Sequence, residues 1–458
     1  MQFTTRLTAF LFLVPTWSGI ASADERFVPF RIATFSADVT CPVGHPLLGG
    51  LYANAQEIVN PLLARGFVLL GPEEPIVLCA IDWCEIRNRS YDMWREGLAE
   101  AAATRRERVL VCCLHQHDAP LTDLDARDLL ADVGLGENMF DAKFELDCVR
   151  RTAAALRDSL EQARRVTHIG VGKARVERVA SNRRVMDPEG RVSYARGSNS
   201  GGDDFLRKAA DGLIDPWLRT LSFWDQDQPL LAMHAYATHP MSYYGKGGVS
   251  YDFVGIARDL QQREQPDVFQ IYVSGCSGDV TAGRYNDGSP ANRPLLANRL
   301  YKAMQASFTS TEKHPLTKAD FRNTSLDLKF REGHSHSRES MTRVLRDSST
   351  SPRNRILAAM GLASRNRIDR GQTIDFPCVD FGPARILLFP GEAFVGYQLL
   401  AQHNTPDSFV VSVGYGECWP GYIPTRQGFA DRFENVWYWV GPDSDRRMEQ
   451  ALRRLAAE

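Results

Sequence analysis

The chain has 458 residues, of which 43% are hydrophobic and 24% charged, and its formal net charge is -2. That is ordinary globular composition, long enough for one large domain or two or three modest ones. With no dense Lys/Arg tract, the electrostatic footprint of a nucleic-acid binder is missing.

The N-terminus reads as a targeting segment. Arg6 precedes an apolar centre from Leu7 to Val14, and Ala21-Ser22-Ala23 stands before Asp24. This is the layout of a secretory signal over residues 1–23, so the mature chain is expected to be exported, to a periplasm or beyond. Pro15 and Gly19 interrupt the segment well short of the ~20 apolar residues of a membrane span.

Seven short runs rich in apolar and β-branched residues predict strands: VLCAIDW, RVLVCCLH, THIGVGKARVERV, LLAMHAYATHP, FQIYVSG, ARILLFPGE and FVVSVGY. Helical spacing predicts helices over residues 90–107, 139–165, 252–264 and 443–458. In the second, Phe140, Phe144, Cys148, Val149, Ala153, Leu156 and Leu160 form one apolar stripe. Strand and helix alternate, which predicts an α/β protein. Residues 24–458 then form a single large domain, a mixed β-sheet core flanked by helices. Residues 332–355 are polar, Ser-rich and basic, and read as a partly helical surface insertion whose His334 and His336 are solvated. The nine cysteines contain no CxxC pair; Cys41 and Cys79, near strand-like runs, are the one pair that suggests a bridge.

Unusual polar groups stand at four strand ends, where loops build sites on a rigid scaffold. After RVLVCC come His115 and His117, which strand alternation places on one face. They suit a metal ligand with a neighbouring acid or base, or simply close a strand. His239 before Pro240 is a second candidate, while His234 faces the other way and reads as core. Glu392 after Pro390-Gly391 is either a ligand or a carboxylate opening a helix. Tyr422 lies in a Gly- and Pro-rich loop where packing is the plain alternative. The loop SGCSGDVTAGRYNDG cradles a ligand or only turns the chain; it lacks P-loop spacing. Neither H-E-x-x-H nor G-x-S-x-G is present.

These pieces, in this order, resemble the neutral (non-lysosomal) ceramidase family: LHQHDAP, ATHPMS, GDVTAG, FPGEAF and GYIPT, preceded by DVTCPVGHPLLGG, AIDWCEI and SNRR. The resemblance runs from about Phe30 to about Thr425. It implies a catalytic Zn2+ held by His115, His239, Glu392 and Tyr422. His117 would contact substrate and the water on the metal, and Arg183 (or its neighbour Arg184) would contact substrate. Thr281 would stand where the family has a serine. The implied reaction is hydrolysis of the N-acyl bond of ceramide or a related N-acylated lipid, with peripheral contact to a membrane as the route to it. The alternatives are the same zinc hydrolase acting on another amide or an ester, or an inactive binding protein. Four departures stand out: a short tail in place of a C-terminal β-sandwich, the extra charge of Asp118, threonine for serine at Thr281, and Phe433-Glu434 where a second tyrosine is expected.

Overall fold

The structure is a computed structural model that describes residues 1–2 and 29–457. The expected signal segment therefore lies outside the described residues, its first two residues apart.

The mixed α/β architecture is present, built on three larger sheets with several two-stranded pairs beside them. The first contains β1 (Arg31–Asp38), β2 (Leu63–Leu70), β3 (Ile76–Ile81) and β4 (Val109–Cys113), in the order β4-β3-β2-β1. The second contains β5 (His168–Arg175), β6 (Trp217–Asp225), β7 (Gln228–Tyr236), β8 (Phe269–Ser274) and β9 (Glu312–Pro315), in the order β8-β7-β6-β5-β9. The third contains β10 (Asp320–Leu326), β11 (Ile374–Asp380), β12 (Ala384–Leu388) and β13 (Phe409–Val413), in that order.

The main helices are α1 (Asn88–Ala102), α2 (Ala142–Ser159), α3 (Asp252–Glu264) and α4 (Asn292–Thr309). They continue with α5 (Arg338–Arg346), α6 (Pro352–Asp369), α7 (Val395–Asn404) and α8 (Asp443–Ala457). Most strand neighbours are antiparallel. Each sheet, however, ends in one parallel pair: β3 with β4, β7 with β8, and β12 with β13. A parallel neighbour needs a crossover, and the three crossovers carry α1, α3 and α7.

Strand alternation sorts the core. Ile76, Leu78, Ala80, Leu110 and Cys112 face a core shared by all three sheets. Val77, Cys79, Ile81, Val111 and Cys113 face the layer of α1 and α2. Cys112 and Cys113 thus point to opposite faces, as period-2 geometry requires. All nine cysteines are buried free thiols, so the suggested Cys41–Cys79 bridge is not formed.

Residues 332–355 are more than a solvated insertion. Ser337 caps α5 by accepting from the Ser340 amide, and Met341 and Leu345 are buried in a third core with Ile356 and Met360 of α6. His334 and His336 lie in the polar turn before this helical pair. Helix α8 buries Met448, Leu452 and Leu455 in the same core.

Candidate active site

The carboxyl ends of the three parallel pairs are tied to one another. Gly414 N–H donates to Ser274 O at 2.7 Å, Cys113 N–H to Tyr415 O at 3.0 Å, and Ser274 Oγ to Leu114 O at 2.8 Å. Strand ends on one side of a sheet are where α/β proteins place sites. Here three such ends meet, and His115, His239 and Glu392 follow β4, β7 and β12.

His115 is not on a strand, contrary to the alternation argument. β4 stops at Cys113, and His115 has φ +70°, a left-handed conformation that costs a non-glycine residue. Its ring still meets that of His117 at 5.3 Å, edge on. The turn, not the pleat, brings them together. Glu392 likewise does not open a helix. It sits in a two-residue strand paired in parallel with Tyr422, and α7 begins three residues later. Both residues leave a Pro-Gly turn, Pro390-Gly391 and Pro420-Gly421, with φ +53° and +62° at the glycines. A Cβ at Gly391 would lie 2.6 Å from Gly421 O, so only glycine lets the turns approach and the two site residues stand side by side.

His115 Nε2 lies 3.3 Å and His239 Nε2 2.9 Å from Glu392 Oε2. The far nitrogens face backbone carbonyls: His115 Nδ1 reaches Cys84 O at 3.1 Å, and His239 Nδ1 reaches Ser277 O at 2.6 Å. A neutral imidazole that donates from Nδ1 offers a lone pair at Nε2. Two such lone pairs and a carboxylate oxygen therefore converge on one point, an arrangement that calls for a cation. Carbonyl partners behind the ligating rings are the usual outer support of a metal-bound histidine. Three ligand atoms within 4.8 Å of one another complete the geometry. Burial disfavours charge on all three side chains. The ring–carboxylate attraction outweighs it at Glu392, held far below its usual range, and at His115, which is raised. Burial wins at His239, lowered to about 4.

Tyr422 stacks beside His239, with ring centres 6.2 Å apart, and its buried hydroxyl interacts with Glu392. Phe433 meets the Tyr422 ring edge on at 5.3 Å. Cys84, His115 and His117 form another group of possible ligands. The Cys84 thiol, however, is pushed well above its ordinary pKa by burial and by Glu85. Ligation from His115 Nδ1 would also forfeit the Cys84 carbonyl, so the His115–His239–Glu392 group is the better metal centre.

His117 differs from its neighbours. Both ring nitrogens are buried, with no hydrogen-bond partner among the described residues. Burial and the charges of His115 and His239 drive its pKa well down. It remains a neutral base packed against Tyr52 and Tyr244. Arg183 acts electrostatically on His117, His239 and Tyr422, and its Nε is buried and unpartnered among the described residues. Arg184 turns away to Asp431 at 2.6 Å, so Arg183 is the arginine at the site. Thr281 pairs with His239 through a backbone bridge, but its hydroxyl donates to Ser198 Oγ at 2.7 Å. Asp118 accepts from Gly245 N–H at 2.8 Å and anchors the loop that carries Tyr244. His234 is core, bonded to Thr220 and Gln270.

Sequence reasoning did not single out Glu85, Tyr415 or Trp437. The Glu85 carboxylate lies 3.7 Å from His115 Nδ1, is held by the Trp437 indole N–H at 3.2 Å, and is pushed up to about 7 by burial. Tyr415 stacks on His115 at 4.2 Å and bonds Ser277 Oγ at 2.7 Å. Glu85 and Tyr415 lay inside quoted runs, AIDWCEI and FVVSVGY, but only tertiary contacts reveal their role. The open pocket above the site has a cavity volume of about 150 Å³, with Leu48, Leu51, Tyr52, Val436 and Trp437 on its walls.

No family model matches the chain, and no curated protein matches it. Among solved structures, a ceramidase complexed with C2 aligns with TM-score 0.68 and 16% identity, covering 94% of this chain and 75% of its own. The neutral ceramidase of Pseudomonas aeruginosa aligns with TM-score 0.66 and 17% identity over the same shares. On this likeness, the chain has the fold of these ceramidases.

Proposed function

We propose that the protein is an exported zinc-dependent amidohydrolase that cleaves the N-acyl bond of ceramide or a related N-acylated lipid, releasing a fatty acid and an amine. The convergence of His115 Nε2, His239 Nε2 and Glu392 Oε2 at the floor of a pocket with one apolar wall carries this reading. Mixed nitrogen and oxygen donors with two histidines suit zinc, and Tyr422 would add its phenolic oxygen. When bound, zinc supplies a Lewis acid that polarises a carbonyl and lowers the pKa of water towards about 7.

The chain's own residues do the rest. His117, neutral and unbonded, takes the proton of the attacking water on a ring nitrogen and returns it to the leaving amine. Arg183 positions the acyl group and steadies negative charge developing on its oxygen. Thr281 holds Ser198 and so acts at one remove, as a positioning residue. Leu48, Leu51, Val436 and Trp437 receive the apolar chain. Val436, 64% exposed on the rim, suits peripheral contact with a lipid surface.

Elemental analysis of the purified mature chain beside His239→Ala tests the reading. It requires about one zinc per chain in wild type, almost none in the variant, and turnover of an N-acyl lipid by wild type only. A wild type that holds no metal after chelator-free purification would sink it.

A further inference from the structure

The pocket has one apolar wall and an unusual rim. Besides the site residues, its polar lining groups are Arg353, Asn435 and Tyr52. Arg353 stands in the first turn of α6 and gives one Nη1 hydrogen bond to Leu51 O at 3.1 Å. It has no carboxylate partner among the described residues. Other arginines of the same helical pair do: Arg338 meets Asp369, Arg343 meets Glu339 and Arg367 meets Asp92. Asn435 uses its Oδ1 to accept from Trp437 N–H at 2.9 Å, which leaves its amide N–H groups free to donate. The rim therefore offers a guanidinium fork and an amide donor. The pocket's one lining carboxylate, Glu392, is committed to the two histidines below. The helix start adds positive potential of the same sign.

A neutral amide with two hydrocarbon tails gains nothing from that rim and needs a second apolar wall. An N-acyl amphiphile with one chain and a carboxylate on its amine half fits both features. The chain lies along Leu48, Leu51, Val436 and Trp437, and the carboxylate meets Arg353 in the bidentate geometry that guanidinium favours. We propose that the substrate class of this site is the N-acyl amino acids, selected by Arg353 with Asn435. This rests on the hydrolase reading above. In the step, water adds its oxygen to the acyl carbon, the C–N bond breaks, and the proton passes to the amine, giving a fatty acid and a free amino acid.

The experiment compares N-dodecanoylglycine with N-dodecanoylethanolamine, which share a chain and differ in head-group charge. Wild type should favour the glycine conjugate by about 10-fold or more in kcat/KM, and Arg353→Gln should reduce that ratio at least 10-fold. A preference for the neutral amide, or an unchanged ratio in the variant, overturns the proposal. Calorimetric titration of the metal-free full chain with the same two amphiphiles reads selectivity without turnover. Tighter binding of the glycine conjugate that is lost in Arg353→Gln sustains the proposal even if neither compound is cleaved, in which case the hydrolase reading alone falls. Equal binding of the two by wild type overturns it.

Discussion

His115 and His117 are two residues apart and have opposite surroundings. His115 is pinned: Cys84 O behind one nitrogen, Glu392 before the other, Tyr415 stacked on its face. His117 meets its neighbours through ring packing, and among the described residues no group bonds either nitrogen. A ligand must be held still, because misplacement costs affinity. A proton carrier must keep an unshared pair and a free exit. Under the proposed function the same residue type takes both roles, because the polypeptide turns at His115 and exposes the two rings to different partners.

Breaking the pinned half should have the largest effect. His239→Ala removes a ring whose Nδ1 is already fixed by Ser277 O, so zinc content and turnover should both fall to background. Breaking the free half should separate the two readouts. His117→Ala is expected to keep zinc at the wild-type level and lower kcat by about 10²–10⁴-fold. Metal loss in that variant would place His117 among the ligands and erase the contrast. Support behind the pinned ring comes next. Glu85→Gln keeps shape but removes charge near His115 Nδ1, and chelator competition should show zinc affinity weakened by about 10–100-fold.

The two tyrosines sharpen the comparison further. Tyr422→Phe should weaken zinc binding and activity clearly more than Tyr415→Phe, which keeps its stack on His115 and loses the hydroxyl's bond to Ser277 and its longer contact with His239 Nδ1 at 3.5 Å. Equal losses would show that Tyr422 is packing. The smallest effect belongs to the other H-x-H. Replacing His334 or His336 by alanine should leave activity and zinc content unchanged, since both lie in a turn before α5.

The free cysteines bear on the proposed export. Nine unpaired thiols are unusual in an oxidising compartment. All are buried, and burial drives the thiol of each upward: Cys41, Cys148 and Cys378 to about 12, and the others well above the ordinary thiol range. Such thiols form little thiolate and resist oxidation while the fold is intact.

All seven strands read from apolar runs are present, and so are the four helices, within a few residues. Others were not legible. β1 and β2 mix charged and small residues into their runs, and only the buried register Arg31↔Leu70 to Asp38↔Leu63 makes them strands. α5 looked like polar insertion because its apolar residues are few; Met341 and Leu345 are buried only because α6 packs behind them. The alternation argument for His115 and His117 reached the right neighbours by a wrong path, since a left-handed turn replaced the strand.

By itself the sequence determined the local periods, hence an α/β chain, and the residue types able to hold a metal, because these depend on neighbours along the chain. Which of those residues meet was decided only by the tertiary structure. His115, His239, Glu392 and Tyr422 span 308 positions, and three crossovers with two glycine turns bring them together. The same is true of Glu85 behind His115 and of Arg353 on the rim. Spacing in sequence carries no trace of such contacts, which arise when sheets pack and strand ends converge.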